Sequence, residues 1–288
     1  MADSPGHRIG QIIGYALELS VRPLLIEVSR AHSLYLDAIG PRLARNGRKK
    51  ITWVDHTGNK HDLDFVLEQN GDPHNVGVPV AFVEVAWRRY TKHSVNKAGE
   101  IANALVPLRQ TYSAARPFTG AVLAGVWTAG GLQHMTSQGI AVLHVPLETI
   151  QDAFAAHGMD IDFDEHTPRE YQKRQVELWE AMSAGDQAAL ASSLISRESE
   201  RYEEFRQRLE EHIARKVTRV LVLSLLGRRY SFDSPEDAIF GIEGGFDGAV
   251  TSGDVERLEI QVRYSNGDRI EASFENQADA VLFLRDRF

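Results

Sequence analysis

Apolar residues recur at helical spacing across residues 11–39, QIIGYALELSVRPLLIEVSRAHSLYLDAI, and predict helix on both sides of Pro23. A basic connector with two glycines, GPRLARNGRKK, follows. The pattern then changes to short segments separated by turn residues. ITWVDHT, HDLDFVLE and VPVAFVEVAW read as three strands, with GNK and QNGDPHNVG as the turns between them. NKAGEIANALVPLRQTY returns to helical spacing, with Pro107 expected to kink or shorten the helix. FTGAVLAGVW and IAVLHVPLE are unbroken apolar runs on either side of a short helical piece, GLQHMTSQ. Such runs suit strands covered on both faces. The predicted order of helix, three strands, helix, strand, short helix and strand gives an α/β (α+β) fold with a mixed central sheet.

Beyond Thr167 the chain becomes rich in Glu, Arg, Ala and Leu, which predicts a helical linker over residues 166–216 with a break near Gly185. Residues 217–288 contain an apparent repeat of strand, turn, strand and helix. Phe232, Asp237, Ala238 and Ile239 match Phe274, Asp279, Ala280 and Val281 at a shift of 42 residues. The division expected is therefore 1–165, 166–216 and a ββα-ββα module at 217–288.

Composition narrows the function classes. Of the 288 residues, 43% are hydrophobic and 25% charged, the balance of a soluble globular protein. No run of about 18 uncharged apolar residues predicts a membrane span. MADSPGHRIGQ does not have the form of a secretory signal. The absence of cysteine excludes disulfides, thiolate nucleophiles and Cys-based zinc sites, and a cytoplasmic location fits it. The net charge of −8 hides an asymmetry: residues 1–150 carry 15 Lys+Arg against 12 Asp+Glu, and residues 151–288 carry 17 against 28. Exposed charges act locally, so the first part is the expected surface for phosphate.

One stretch, FVEVAWRRYTKHSVNK, places Glu84 inside an apolar strand and follows it with Arg88, Arg89, Lys92 and Lys97. A charge in a buried strand is rare unless it is paired, either with a cation in a structural ion pair or with a functional partner. Strand alternation puts Asp62 and Asp64 on the face opposite Leu63, Phe65 and Leu67, and Glu84 with Ala86 opposite Val83, Val85 and Trp87. If these strands pair as a hairpin, Asp64 and Glu84 lie side by side. Two adjacent carboxylates repel unless a proton or cation sits between them, and such oxygen donors suit Mg²⁺. Asp62 reads as a turn residue.

This order of elements, with Asp64 in the second strand and Glu84 in the third, resembles the PD-(D/E)XK nuclease superfamily, the restriction-endonuclease-like fold. The resemblance implies that Asp64 and Glu84 bind Mg²⁺. It also implies a lysine two residues after the Glu, and residue 86 is Ala. The family tolerates a lysine displaced to the next helix, which makes Lys97, expected on that helix's first turn, the preferred substitute and Lys92 the second choice. Glu100 stands one turn beyond Lys97. Arg88, Arg89, Lys92 and Arg116 are then the DNA-binding candidates, although Arg88 and Arg89 also suit a solvated strand exit. The implied activity is Mg²⁺-dependent DNA endonuclease cleavage by a homodimer, with the acidic C-terminal half available to a partner protein. The alternatives are a catalytically silent nuclease-fold module that binds DNA or aids assembly, and a structure-specific repair or RNA nuclease.

Overall fold

The computed structural model describes residues 4–113, 115–164, 166–224, 228–248 and 257–287. The chain divides into two compact units, residues 1–213 and 214–288.

The first unit opens with helix α1, Pro5–Ala31, whose N-terminus is capped by Ser4. Pro23 lies inside it, because both flanking apolar stripes (Ile9, Ile13, Leu17 before it; Leu25, Val28 after it) are buried and outweigh the lost hydrogen bond. Half of the helix's most apolar window is buried in the fold, although its length and composition would allow it to cross a bilayer. The helix ends earlier than its sequence predicts, where Ser33 takes a positive φ of 54°. Residues Tyr35–Ala38 then form strand β1, the first strand of the central sheet.

This displaces the predicted first strand. Ile51–Val54 (β2) pairs only with Lys60–Leu63 (β3), as a separate hairpin. The predicted second strand is broken at Asp64, and Phe65–Gln69 (β4) enters the central sheet. Val78–Arg88 (β5), Phe118–Gly125 (β6) and Ala141–Pro146 (β7) complete it in the order β1-β4-β5-β6-β7. β1, β4 and β5 run antiparallel, and β5, β6 and β7 run parallel. The crossovers are α2, Thr91–Thr111, and α3, Ala129–Ser137. α2 continues through Pro107 and begins at Thr91, so Lys97 lies on its second turn rather than its first.

Both faces of the sheet are covered, as the unbroken burial of β6 requires. On one face lie α1, α4 (Leu147–Ala156), α5 (Arg169–Ala181), α6 (Ala184–Arg197) and α7 (Ser199–Ile213). The segment expected to be a linker therefore contributes Trp179, Leu190, Leu194, Tyr202 and Phe205 to the core of the first unit. On the other face α2, α3 and the β2-β3 hairpin enclose Trp53, Phe82, Ile101, Leu105 and Trp127.

The connector read as merely basic holds a buried charge cluster. Arg42 bonds both oxygens of Glu68 at 2.7 and 2.9 Å and reaches Asp37 at 2.8 Å. It also donates to the carbonyls of Asp72 and Asn75, which ties the 70–77 turn to β4.

The second unit contains β8 (Val217–Ser224), β9 (Arg229–Phe232), α8 (Pro235–Glu243), α9 (Gly245–Gly248), β10 (Leu258–Tyr264), β11 (Arg269–Phe274) and α10 (Gln277–Arg287). Its strands form one antiparallel sheet in the order β11-β10-β8-β9, and α8 and α10 cover one face. The repeat extends to the helix caps: Ser234 accepts from the Asp237 amide, and Asn276 accepts from the Asp279 amide. Val220 pairs with Val262, its counterpart 42 residues on, so a local twofold relates the two copies.

Candidate active site

The register of β4 with β5 pairs Phe65 with Val83, so the next antiparallel step sets Asp64 opposite Glu84. The Val85 amide donates to Asp64 Oδ2 at 2.6 Å and holds that carboxylate at the strand bend. Phe82 and Ala86 belong to the core on the α2 face, and alternation places Glu84 on that same face. Burial pushes the Glu84 carboxyl up to about 8; the negative charge of Asp64 adds to the rise, and the positive charge of Lys97 opposes it. Burial also raises Asp64, against the Val85 hydrogen bond and the charge of Lys97. The charge of Lys97 thus acts on both carboxylates at once.

A third carboxylate, not expected from the sequence, comes from α1. Glu18 is pushed up to about 7, first by burial and then by the charge of Asp64, with Arg22 opposing. Glu18 continues a four-residue spacing, Gly6, Gly10, Gly14, Glu18, along one helix face. The three glycines line a cleft of about 670 Å³ together with His7, Ala86, Trp87, Arg88, Lys97 and Glu100. Glycine is a poor helix former, costing about 0.5–1 kcal/mol relative to Ala at each interior position. Three of them on the wall of a cleft keep that wall low. The spacing was legible in the sequence, but its direction was not, because nothing there shows which face of α1 meets the sheet rim.

The other predicted residues are placed unequally. Arg88 lines the cleft and donates to its neighbour's carbonyl, Trp87 O, at 2.7 Å. Arg89 also borders it, but its guanidinium is engaged with the Ile161 carbonyl at 3.0 Å, with Asp162, and over the Phe163 ring. Its reach is toward the 161–163 segment. Arg116 is not brought to the site. It precedes β6 at the level of position 79 in β5, five residues and about 16 Å of strand from Glu84. The Lys92 side chain lies outside the described residues. Lys97 reaches Glu100 at 3.1 Å. Asp62 is bound by Lys50 and Thr52 in the β2-β3 hairpin.

Among the described residues no group of three or more His, Asp or Glu is arranged to hold a metal ion. The donor chemistry that fits a divalent cation is the pair Asp64 and Glu84: two partly enclosed carboxylates whose mutual repulsion a cation would remove. No family model, curated protein or solved structure matches the chain.

Proposed function

We propose that the chain is a PD-(D/E)XK-type nuclease that hydrolyses DNA phosphodiester bonds with Mg²⁺, most simply as a homodimer that cuts both strands. The observation that carries this reading is a lysine, Lys97, whose charge acts on two opposed and destabilised carboxylates where β4 begins beside β5. Asp64 and Glu84 would hold the metal, which would supply a more acidic water and neutralise charge on the phosphate. The Val85 amide fixes Asp64, and Lys97 takes the part of the lysine missing at position 86, stabilising the oxyanion that develops at phosphorus. Arg88 holds a flanking phosphate at the cleft rim.

The competing reading, a catalytically silent DNA-binding or assembly module, is favoured by Ala86 and by the engagement of Lys97 with Glu100. The test is cleavage of plasmid and linear DNA in Mg²⁺ or Mn²⁺ with a chelator control. Metal-dependent cutting is expected, reduced at least about 100-fold by Asp64→Ala and by Lys97→Ala. DNA binding without metal-dependent cutting would establish the silent reading instead.

The glycine wall gives a separate expectation. A Cβ on Gly14 meets nothing within 4 Å, so Gly14→Ala fits the fold. It should stabilise the protein by about 0.5–1 kcal/mol through helix propensity. It should also weaken DNA binding by narrowing the cleft, giving a raised Tm together with a raised Kd. An unchanged Kd would remove the cleft wall from the substrate path.

A further inference from the structure

In the second unit, Val220, Val222, Ile260 and Val262 point into the core under α8 and α10, so the alternate residues of β8 and β10 face the other way. On that outer face the register sets Arg263 opposite Arg219 on one side and opposite Arg269 on the other. Three arginines therefore stand in one row across β8, β10 and β11, and all three are exposed. Like charges directly opposite on neighbouring strands destabilise a sheet. Polar neighbours stand beside the row. Arg263 donates to Gln261 Oε1 at 2.9 Å, and Arg269 lies 3.4 Å from Glu271, a pair in which both side chains are more than half exposed. Exposed pairs of this kind are worth little and exchange readily for another anion.

The charge of the unit is unevenly divided around this row. The helices and the turns leading into them expose Glu236, Asp237, Glu243, Glu275, Asp279 and Asp286 against Arg285, whereas the outer sheet face sets Glu259 and Glu271 against the three arginines. A polyanion is thus met more favourably at the outer sheet face than at the helical side. Two inter-strand steps of about 4.8 Å spread the row over roughly 10 Å. A duplex strand carries one phosphate per ~3.4 Å of axial rise, so a row of this length faces several phosphates. Guanidinium groups also suit phosphate, which they can bind through two parallel hydrogen bonds.

We propose that Arg219, Arg263 and Arg269 form a phosphate-binding row through which the C-terminal unit grips the backbone of a nucleic acid. The row needs no metal and does not depend on the chemistry proposed for Asp64 and Glu84. It adds a second phosphate-binding surface to the one expected from the charge of residues 1–150.

The test is binding of the full chain to a labelled 20-base-pair DNA duplex, and to one of its single strands, in chelator and across a salt series. Chelator keeps the result independent of any cleavage. Arg219→Gln/Arg263→Gln/Arg269→Gln should make the slope of log affinity against log salt shallower by about 2.7 for the duplex and about 2 for the single strand. The corresponding triple lysine variant should keep most of the slope, because it keeps the charges. Arg263→Gln alone, at the middle of the row, should change the slope by about 0.9 on duplex, and it guards against a triple variant that fails to fold. A wild-type slope in Arg263→Gln and in the folded triple glutamine variant overturns the proposal. So does loss of binding to polyglutamate with DNA binding intact, because the row would then be a site for an acidic protein.

Discussion

Glu84→Gln should abolish metal-dependent cleavage, by about 10³-fold or more, and at the same time make the metal-free protein more stable at pH 8. The first effect follows from removing one of two carboxylates proposed to hold the ion, since charge stabilisation by a metal is worth several kcal/mol and each 1.36 kcal/mol is tenfold in rate. The second follows from linkage. Glu84 sits at about 8 in the folded protein against an ordinary value of 4.5. Below pH 4.5 the group is protonated in both states and costs nothing. Between 4.5 and 8 the unfolded chain has released its proton and the folded chain retains it, so stability falls as the pH rises, and it levels off above 8. Glu18, at about 7, adds a smaller fall between 4.5 and 7 that the variant retains.

In chelator, the Tm of the wild type should therefore decline from pH 5 to pH 8, and that of Glu84→Gln should decline less. Each kcal/mol corresponds to about 2–4 °C for a protein of this size. Mg²⁺ should restore the wild type at pH 8 and leave the variant unmoved. Parallel pH profiles for the two proteins in chelator would show that Glu84 is not a destabilised acid. The metal reading of the pair would then lose its physical basis. Because stability and activity move in opposite directions, a misfolded variant cannot imitate the result.

Arg42→Ala should destabilise the first unit by about 3–5 kcal/mol, the usual cost of removing one partner from a buried ion cluster. Asp37 and Glu68 would be left as buried carboxylates, with only 2% and 0% of their surfaces exposed. Arg45 would still reach Asp37 at 3.0 Å, and the Gly77 amide would still reach Glu68 at 2.7 Å. Neither replaces the paired bonds from Arg42 to Glu68 or the bonds that fix the 70–77 turn. Asp37→Leu/Arg42→Met/Glu68→Met should recover most of the loss, because an apolar replacement removes the desolvation cost together with the attraction. Denaturant unfolding decides both expectations. A loss below about 1 kcal/mol for Arg42→Ala would mean that water reaches the cluster and solvates the remaining charges.

The chain itself determined the central apolar strands, the helix at residues 91–111 in outline, the repeat, and the opposition of Asp64 with Glu84. These rest on local rules: alternation along a strand, the spacing of a turn, and the periodicity of a helix. What failed was partnership. ITWV has a strand composition, yet nothing local says whether it joins a five-stranded sheet or a two-stranded hairpin. SLYLDAI carries helical spacing, yet it became the edge strand because β4 offered it a ladder and Ser33 turned the chain toward it. The Glu-rich helices looked solvated, and it was the apolar minority, Trp179, Leu190 and Phe205, that fixed them to the core.

The same division runs through the charges. Sequence spacing identified Glu84 as anomalous, and tertiary packing decided that the charge of Lys97 reaches it, that Glu18 lies within reach of the charge of Asp64, that Arg89 turns to Phe163 and that Arg116 lies far along the sheet. It likewise brought Arg219, Arg263 and Arg269, up to 50 positions apart, into one row. The physical reason is range. Side-chain direction follows from dihedral angles within a few residues, whereas electrostatic coupling depends on which distant segments pack together and how far they exclude water.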